Sequence, residues 1–295
     1  MGAHHSIMLA VNEKAKLLDG SRVARELLAA SATRVERIRS ATGVTPCLAT
    51  VLVGDDPASV TYTRMKRKRC ESVGMRSLKL ELASDTTTEE LVARIRELAD
   101  DPGVHGILLQ HPAPAHVDER AGFEAIPPVK DVDGVGFVSF AATWLGGPGY
   151  GSCTPAGIIR LLDAYDVPLE GQEAVVIGRS AILGKPMAGM LLQRNATVTL
   201  CHSRTRDLAR VVARADLVVA AVGRPRFVQG DWIKEGATVV DAGYNPGNVG
   251  DVDFDAVVER ALWITPVPGG VGPMTIATLI AQTAAAAARQ LGVDV

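Results

Sequence analysis

The chain has 295 residues, 47% hydrophobic and 22% charged, an ordinary globular composition whose length suggests about two domains. Lysine and arginine number 31 against 33 acidic residues, a formal net charge of −2, so no global positive field exists to hold nucleic acid or an anionic bilayer. Disordered, collagen-like and coiled-coil chains are excluded, and the apolar runs at 215–222 and 276–288 fall short of the ~20 residues a membrane span requires.

Residues 1–12 contain His4 and His5 but no basic stretch leading into a long apolar core, which makes the cytoplasm the expected compartment. Residues 48–53 read as a strand, followed by Gly54-Asp55-Asp56-Pro57, where Asp56 can cap a helix and Pro57 fits its first position. That helix is expected to end near Val73, with Gly74 as its stop. A strand at 78–82, a helix at 88–98 after Asp85-Thr86-Thr87, and a strand at 106–110 complete a first α/β unit. The Gly- and Pro-rich stretch 146–151 cannot sit inside a regular element and reads as part of the connection between domains.

A second unit follows, with strands at 174–177, 197–200, 217–221, 238–241 and 262–264 and helices near 185–194 and 206–214. The alternation predicts two α/β domains, the second a doubly wound, Rossmann-like sheet. The Ala-rich stretch 273–291 reads as a long helix that packs back on the first domain. The expected division is 1–150, completed by 273–295, for the first domain and 151–272 for the second. Cys47, Cys70, Cys153 and Cys201 are too scattered to suggest a disulfide framework, and the histidines have no metal-ligand spacing, so reduced thiols and no metal site are expected.

Several segments carry chemistry. After the strand at 174–177, Gly178, Arg179, Ser180 and Gly184 form a turn that opens a helix, where backbone N–H groups can meet a pyrophosphate. The spacing is not GxGxxG, and the same turn also serves as an ordinary strand-to-helix connection. The next strand ends in Cys201-His202-Ser203-Arg204, without the acid that would accept from a ribose 2′-hydroxyl, so Arg179, Ser203 and Arg204 favour the 2′-phosphate of NADP. Gly223, Gly243 and Tyr244 follow later strands at the same carboxyl edge. In the first unit Ser59, Tyr62 and Lys66 share one helix face, Gln110 ends a strand, and Asp131 and Asp133 share a tight turn. A lysine beside an aromatic ring suits proton exchange on a flat heterocycle, although arginines around it also fit a solvated helix. Pro268, Gly269 and Gly270 lie in a segment that offers bare backbone to a flat ligand.

In chain order, the run 53–59, Tyr62 with Lys66, 106–110 with Pro112, 130–134, Cys153-Thr154-Pro155, Gly178-Arg179-Ser180 and the run 268–275 resemble the bifunctional methylenetetrahydrofolate dehydrogenase/methenyltetrahydrofolate cyclohydrolase family. The resemblance implies oxidation of 5,10-methylenetetrahydrofolate with NADP⁺, followed by hydrolysis of the methenyl form to 10-formyltetrahydrofolate. It also implies a homodimer that binds tetrahydrofolate derivatives between its domains. Lys66 would be the central acid–base residue, Gln110 would tune it, Tyr62 would stack on the folate, Ser59 would assist, and Asp133 would bind the pterin. The sequence departs from the family's usual pattern at His111 and Ala113, after Gly134, and at Tyr244.

Overall fold

The computed structural model describes residues 15–295; residues 1–14, including the segment 1–12 that bears on localisation, lie outside the described residues. A two-residue strand, β1 (Lys16–Leu17), leads into α1 (Gly20–Thr42), whose first turn is capped by the Asp19 carboxylate accepting from Arg22 N at 3.0 Å. Next come β2 (Cys47–Val53), α2 (Pro57–Ser72), β3 (Arg76–Leu82), α3 (Thr88–Asp100) and β4 (Gly106–Leu109). Asp56 and Pro57 start α2 as the sequence predicts, with Ser59 N donating to Asp56 Oδ2 at 2.8 Å. Thr87 and Glu90 start α3 with a reciprocal capping box. The strands form a parallel sheet in the order β3-β2-β4, and every residue of β2 is buried, as a central strand covered on both faces requires. Two further helices, α4 (Glu119–Glu124) and α5 (Phe137–Leu145), complete the unit.

The second unit begins with α6 (Cys153–Ala164), β5 (Glu173–Ile177), α7 (Gly184–Gln193), β6 (Thr197–Cys201), α8 (Leu208–Val212) and β7 (Leu217–Ala220). It continues with β8 (Thr238–Asp241), α9 (Phe254–Val257), β9 (Trp263–Ile264) and α10 (Val271–Gln290). The six-stranded parallel sheet runs β1-β9-β8-β7-β5-β6. The strand order reverses between β5 and β7, as it does between β2 and β4 in the smaller sheet, and open α/β sheets bind ligands in such crevices. The helix expected at 206–214 is shorter, because Asp207 takes a left-handed φ of 50° immediately before it.

Two differences from the sequence expectation affect architecture. The strand Lys16–Leu17 lies in the expected first-domain span yet pairs with Trp263–Ile264, so the first described strand belongs to the second sheet. Residues 20–42, to which the sequence pattern assigned no element, form the longest described helix; Val23, Ala24, Val35 and Ile38 lie on its buried side.

Helix α10 packs against α1, α6, α2 and the strands β2 and β4, so the last helix does return to the first domain. It is long and apolar enough to span a bilayer by length and composition, but 78% of its most apolar window is buried inside the protein. Ala277, Ala284 and Ala287 are fully buried, and such small side chains permit close helix approach. Thr278, Gln282 and Thr283 are the buried polar side chains of this helix, and the amide of Gln282 reaches across to the first domain. Gln282 Nε2 donates to Val132 O at 2.7 Å and Gly151 O at 3.0 Å, joining the Asp131–Asp133 turn to the segment before α6. Gln282→Leu leaves two carbonyls without this donor, and unfolding in urea should show a loss of about 1–3 kcal/mol; a change within about 0.5 kcal/mol would mean that other groups satisfy them.

Candidate active site

The crevice between β2 and β4 collects the first group of side chains. Tyr62 and Lys66 are one helical turn apart on α2, which follows β2, while Gln110 follows β4. Lys66 Nζ donates to Gln110 Oε1 at 2.9 Å. Gln110 Nε2 in turn donates to His111 O at 2.6 Å, which fixes the amide with its oxygen toward the lysine. Ser59 lies buried one turn before Tyr62.

The two aspartates of the tight turn do different work. Asp131 is buried and accepts from Val135 N at 3.2 Å, Gly136 N at 3.0 Å and Ser139 Oγ at 2.6 Å, so it fixes the start of α5. Among the described residues Asp133 has no such set of backbone donors; its carboxyl bonds the Cys153 thiol and interacts with Lys66 through space. Burial pushes the Asp133 carboxyl up to about 6, against the opposing pull of the Lys66 charge and the Cys153 thiol. Burial also lowers the Lys66 pKa, against the attraction of Asp133. Each group therefore opposes the neutralisation that burial imposes on the other, and the amine is brought closer to the neutral form that accepts a proton. His111, exposed at the rim, pairs its Nδ1 with the Glu119 carboxylate at 2.8 Å.

The second crevice lies beyond the carboxyl ends of β5, β6, β7 and β8. Gly178 has φ 129°, and a Cβ there would sit 2.1 Å from Ala221 O, so only glycine lets these two loops meet. Ser180 Oγ accepts from Leu183 N at 3.2 Å and Gly184 N at 3.3 Å, which places it at the opening turn of α7. Arg179, Ser203 and Arg204 are exposed around this edge, and neither arginine has an ion-pair partner among the described residues. Two free guanidinium groups and a hydroxyl, with no carboxylate among them, match a phosphate monoester.

A buried carboxylate that no motif marks organises the same edge. Asp251 is fully buried and accepts from Val222 N at 2.6 Å, Gly223 N at 2.9 Å, Arg224 N at 2.9 Å and Asn245 Nδ2 at 3.0 Å. Asp241, at the end of β8, accepts from Gly243 N, Asp251 N and Val252 N, each at 2.9 Å. The loops bearing Gly223, Gly243 and Tyr244 are thus fixed by two acids contributed from the fold rather than from the cleft surface. An Asp251→Asn variant presents N–H groups to backbone N–H groups. Hydrogen exchange should quicken at Val222, Gly223 and Arg224, with stability lowered by about 2 kcal/mol; unchanged protection at these amides would show that Asp251 does not hold the loop.

The segment with Pro268, Gly269 and Gly270 is tied to both domains. Gly269 O accepts from Ser21 N at 2.9 Å, and Thr275 bonds Thr154 across 3.1 Å between side-chain hydroxyls. Pro268 is exposed and Gly270 buried beneath it. Tyr244 does not stand apart with the second crevice: its ring meets Tyr62 of the first. Gln282 and Asp251 escaped sequence reasoning. A glutamine inside a largely apolar run was a visible signal for the first, whereas the partners of Asp251 are assembled only by the sheet.

The family model for the catalytic domain of tetrahydrofolate dehydrogenase/cyclohydrolase matches residues 18–133, and the model for its NAD(P)-binding domain matches residues 152–291. A Bifunctional protein FolD 1 from Streptomyces avermitilis is 62% identical over 97% of this chain and 100% of its own. The bifunctional FolD enzyme of Campylobacter jejuni superimposes with a TM-score of 0.91 at 44% identity, covering 93% of this chain and 99% of that one. The Trypanosoma brucei FolD, solved with NADP cofactor and an inhibitor, also gives a TM-score of 0.91, at 36% identity over 94% of this chain and 98% of its own. With both domain models matched in order and the likeness running the length of the fold, the chain belongs to the tetrahydrofolate dehydrogenase/cyclohydrolase family.

Proposed function

We propose that Lys66, Gln110 and Asp133 form the chemical centre, that Ser59, Tyr62 and the Pro268–Gly269–Gly270 backbone help hold the folate, and that the second crevice holds the coenzyme. The enzyme is a methylenetetrahydrofolate dehydrogenase and methenyltetrahydrofolate cyclohydrolase of one-carbon metabolism that uses NADP. The observation that carries the residue assignment is the Lys66–Gln110 hydrogen bond at 2.9 Å, in a crevice shared with Asp133. Arg179, Ser203 and Arg204 would take the 2′-phosphate, while Gly178, Ser180, Gly184, Gly223, Gly243 and Tyr244 border the rest of the coenzyme site. The resemblance also supports a cytoplasmic homodimer, and the four cysteines are all buried free thiols, in keeping with a reducing compartment.

NADP⁺, when bound, supplies the hydride acceptor. Oxidation asks alignment of the chain more than a strong base, because a folate nitrogen lone pair drives the loss of hydride. Tyr62 and Asp133 would supply that alignment, one by stacking and the other by accepting from the amino and ring N–H groups of the pterin. Hydration of the methenyl carbon needs proton management. Neutral Lys66 takes a proton from the attacking water and returns one to the nitrogen that leaves the carbon. Gln110 holds the amine at the required position, and the low polarity around it keeps the neutral form accessible.

The decisive experiment follows reduced coenzyme and the methenyl species separately, in protein supplied with 5,10-methylenetetrahydrofolate and either NADP⁺ or NAD⁺. In Lys66→Met, hydration should fall by about 100-fold or more while oxidation falls less, so the methenyl form accumulates. Both rates near those of the unaltered enzyme would overturn the role given to Lys66.

The carboxyl of Asp133 provides an independent pH test. With its pKa at about 6, it is ionised above that value and accepts two hydrogen bonds, then loses this capacity as protonation proceeds below it. KM for the folate should therefore rise on acidification through about pH 6, and in Asp133→Asn it should be raised throughout and flat across the same range. A parallel pH dependence in the variant would assign the titration to another group.

A further inference from the structure

Tyr62 and Tyr244 meet across the cleft with ring centroids 6.2 Å apart and planes at 80°, an edge-to-face contact. The two rings come from different domains, Tyr62 from α2 of the first and Tyr244 from the loop after β8 of the second. Tyr244 is 58% exposed, yet it is held at its tip and beside its base. Its hydroxyl donates to Asn248 Oδ1 at 2.6 Å, and the neighbouring Asn245 amide donates to Val249 O at 3.1 Å and to Asp251 Oδ1 at 3.0 Å. A large, solvent-exposed ring held in this way gains little from burial.

We propose that Tyr244 is a specificity-determining residue of the folate site, forming a second aromatic wall opposite Tyr62 so that an aromatic part of the substrate is held between rings from both domains. The inference rests on the assignment of this cleft to the folate. Without substrate the edge of one tyrosine ring meets the face of the other; with substrate that contact is exchanged for contacts of each ring with the substrate. The wall stands on a loop that Asp241 and Asp251 fix to the coenzyme edge, so the domain holding the coenzyme also touches the folate. The polar bond at its tip fixes where the Tyr244 ring stands in the cleft.

Steady-state kinetics on Tyr244→Leu, Tyr244→Phe and Tyr62→Leu test this, with thermal melts to verify folding. Tyr244→Leu should raise KM for 5,10-methylenetetrahydrofolate about 3- to 10-fold, the factor expected for one lost ring contact, with a smaller change in kcat and in KM for NADP⁺. Tyr244→Phe, which keeps the ring and loses only the Asn248 bond, should raise the folate KM less than the leucine variant. The double variant Tyr62→Leu/Tyr244→Leu should raise it by less than the product of the two single effects, because both rings contact one ligand group. An unchanged folate KM in Tyr244→Leu, or an effect confined to NADP⁺, would overturn the proposal and leave Tyr244 as a coenzyme-side residue. Failure of the underlying assignment looks different: unaltered protein would then turn over no methylenetetrahydrofolate, or Lys66→Met would retain full hydration.

Discussion

Parallel strands end with backbone groups that have no ladder partner, and the loops beyond them must satisfy those groups before they can hold a ligand. In this protein buried side chains from outside the reacting group meet that constraint. Asp251 takes up three consecutive N–H groups after β7, Asp241 secures the loop after β8, and Asp131 secures the turn before α5. Gln282 serves the carbonyls of Val132 and Gly151 from the far side. Lys66 and Asp133 take no part in this bracing: the lysine bonds Gln110, and the carboxyl meets the Lys66 charge and the Cys153 thiol.

This division also explains the difference between adjacent carboxylates. Asp131 and Asp133 are two residues apart in one turn, but the first points into hydrogen-bond donors of the backbone and the second toward an amine. The first is a component of the fold, and the second is the one proposed for the site. The same contrast separates Ser180, occupied at the opening of α7, from Ser203 and Arg204, exposed at the end of β6. A residue at the carboxyl edge of a sheet is not thereby a ligand contact; the number of its existing partners decides how much chemistry it has left.

The elements legible in the sequence are those with local signals. Asp56-Pro57 announces α2, Thr87 with Glu90 announces α3, and the Ala-rich terminal run announces α10. Helix α1 lacks that clarity, since arginines, serines and threonines dilute the apolar stripe made by Val23, Ala24, Val35 and Ile38. Strand β1 has two residues and gains its identity only from a partner more than two hundred positions away. Helix α6 begins directly after a glycine-rich stretch and contains Pro155 near its start, so its onset reads as more connection. At the site, the spacing of Ser59, Tyr62 and Lys66 and the strand-end position of Gln110 were readable. The roles of Asp251 and Gln282 were not, because both depend on carbonyls and amides brought together by tertiary packing.

On the proposed assignment, the pairing of Lys66 with Asp133 gives one site the means to serve two reactions with opposite needs. Burial alone would neutralise both groups, and their mutual attraction alone would keep both charged, so the observed placement leaves the lysine responsive to a third charge. While the one-carbon bridge of the folate is uncharged, burial lowers the lysine pKa and Asp133 above all pulls it back toward an ammonium group that can donate. Once oxidation has placed a positive methenyl group beside it, like-charge repulsion favours the amine, and the residue becomes a base at the step that consumes water. On this assignment the change of role comes from the charge of the bound folate and requires no rearrangement of the chain.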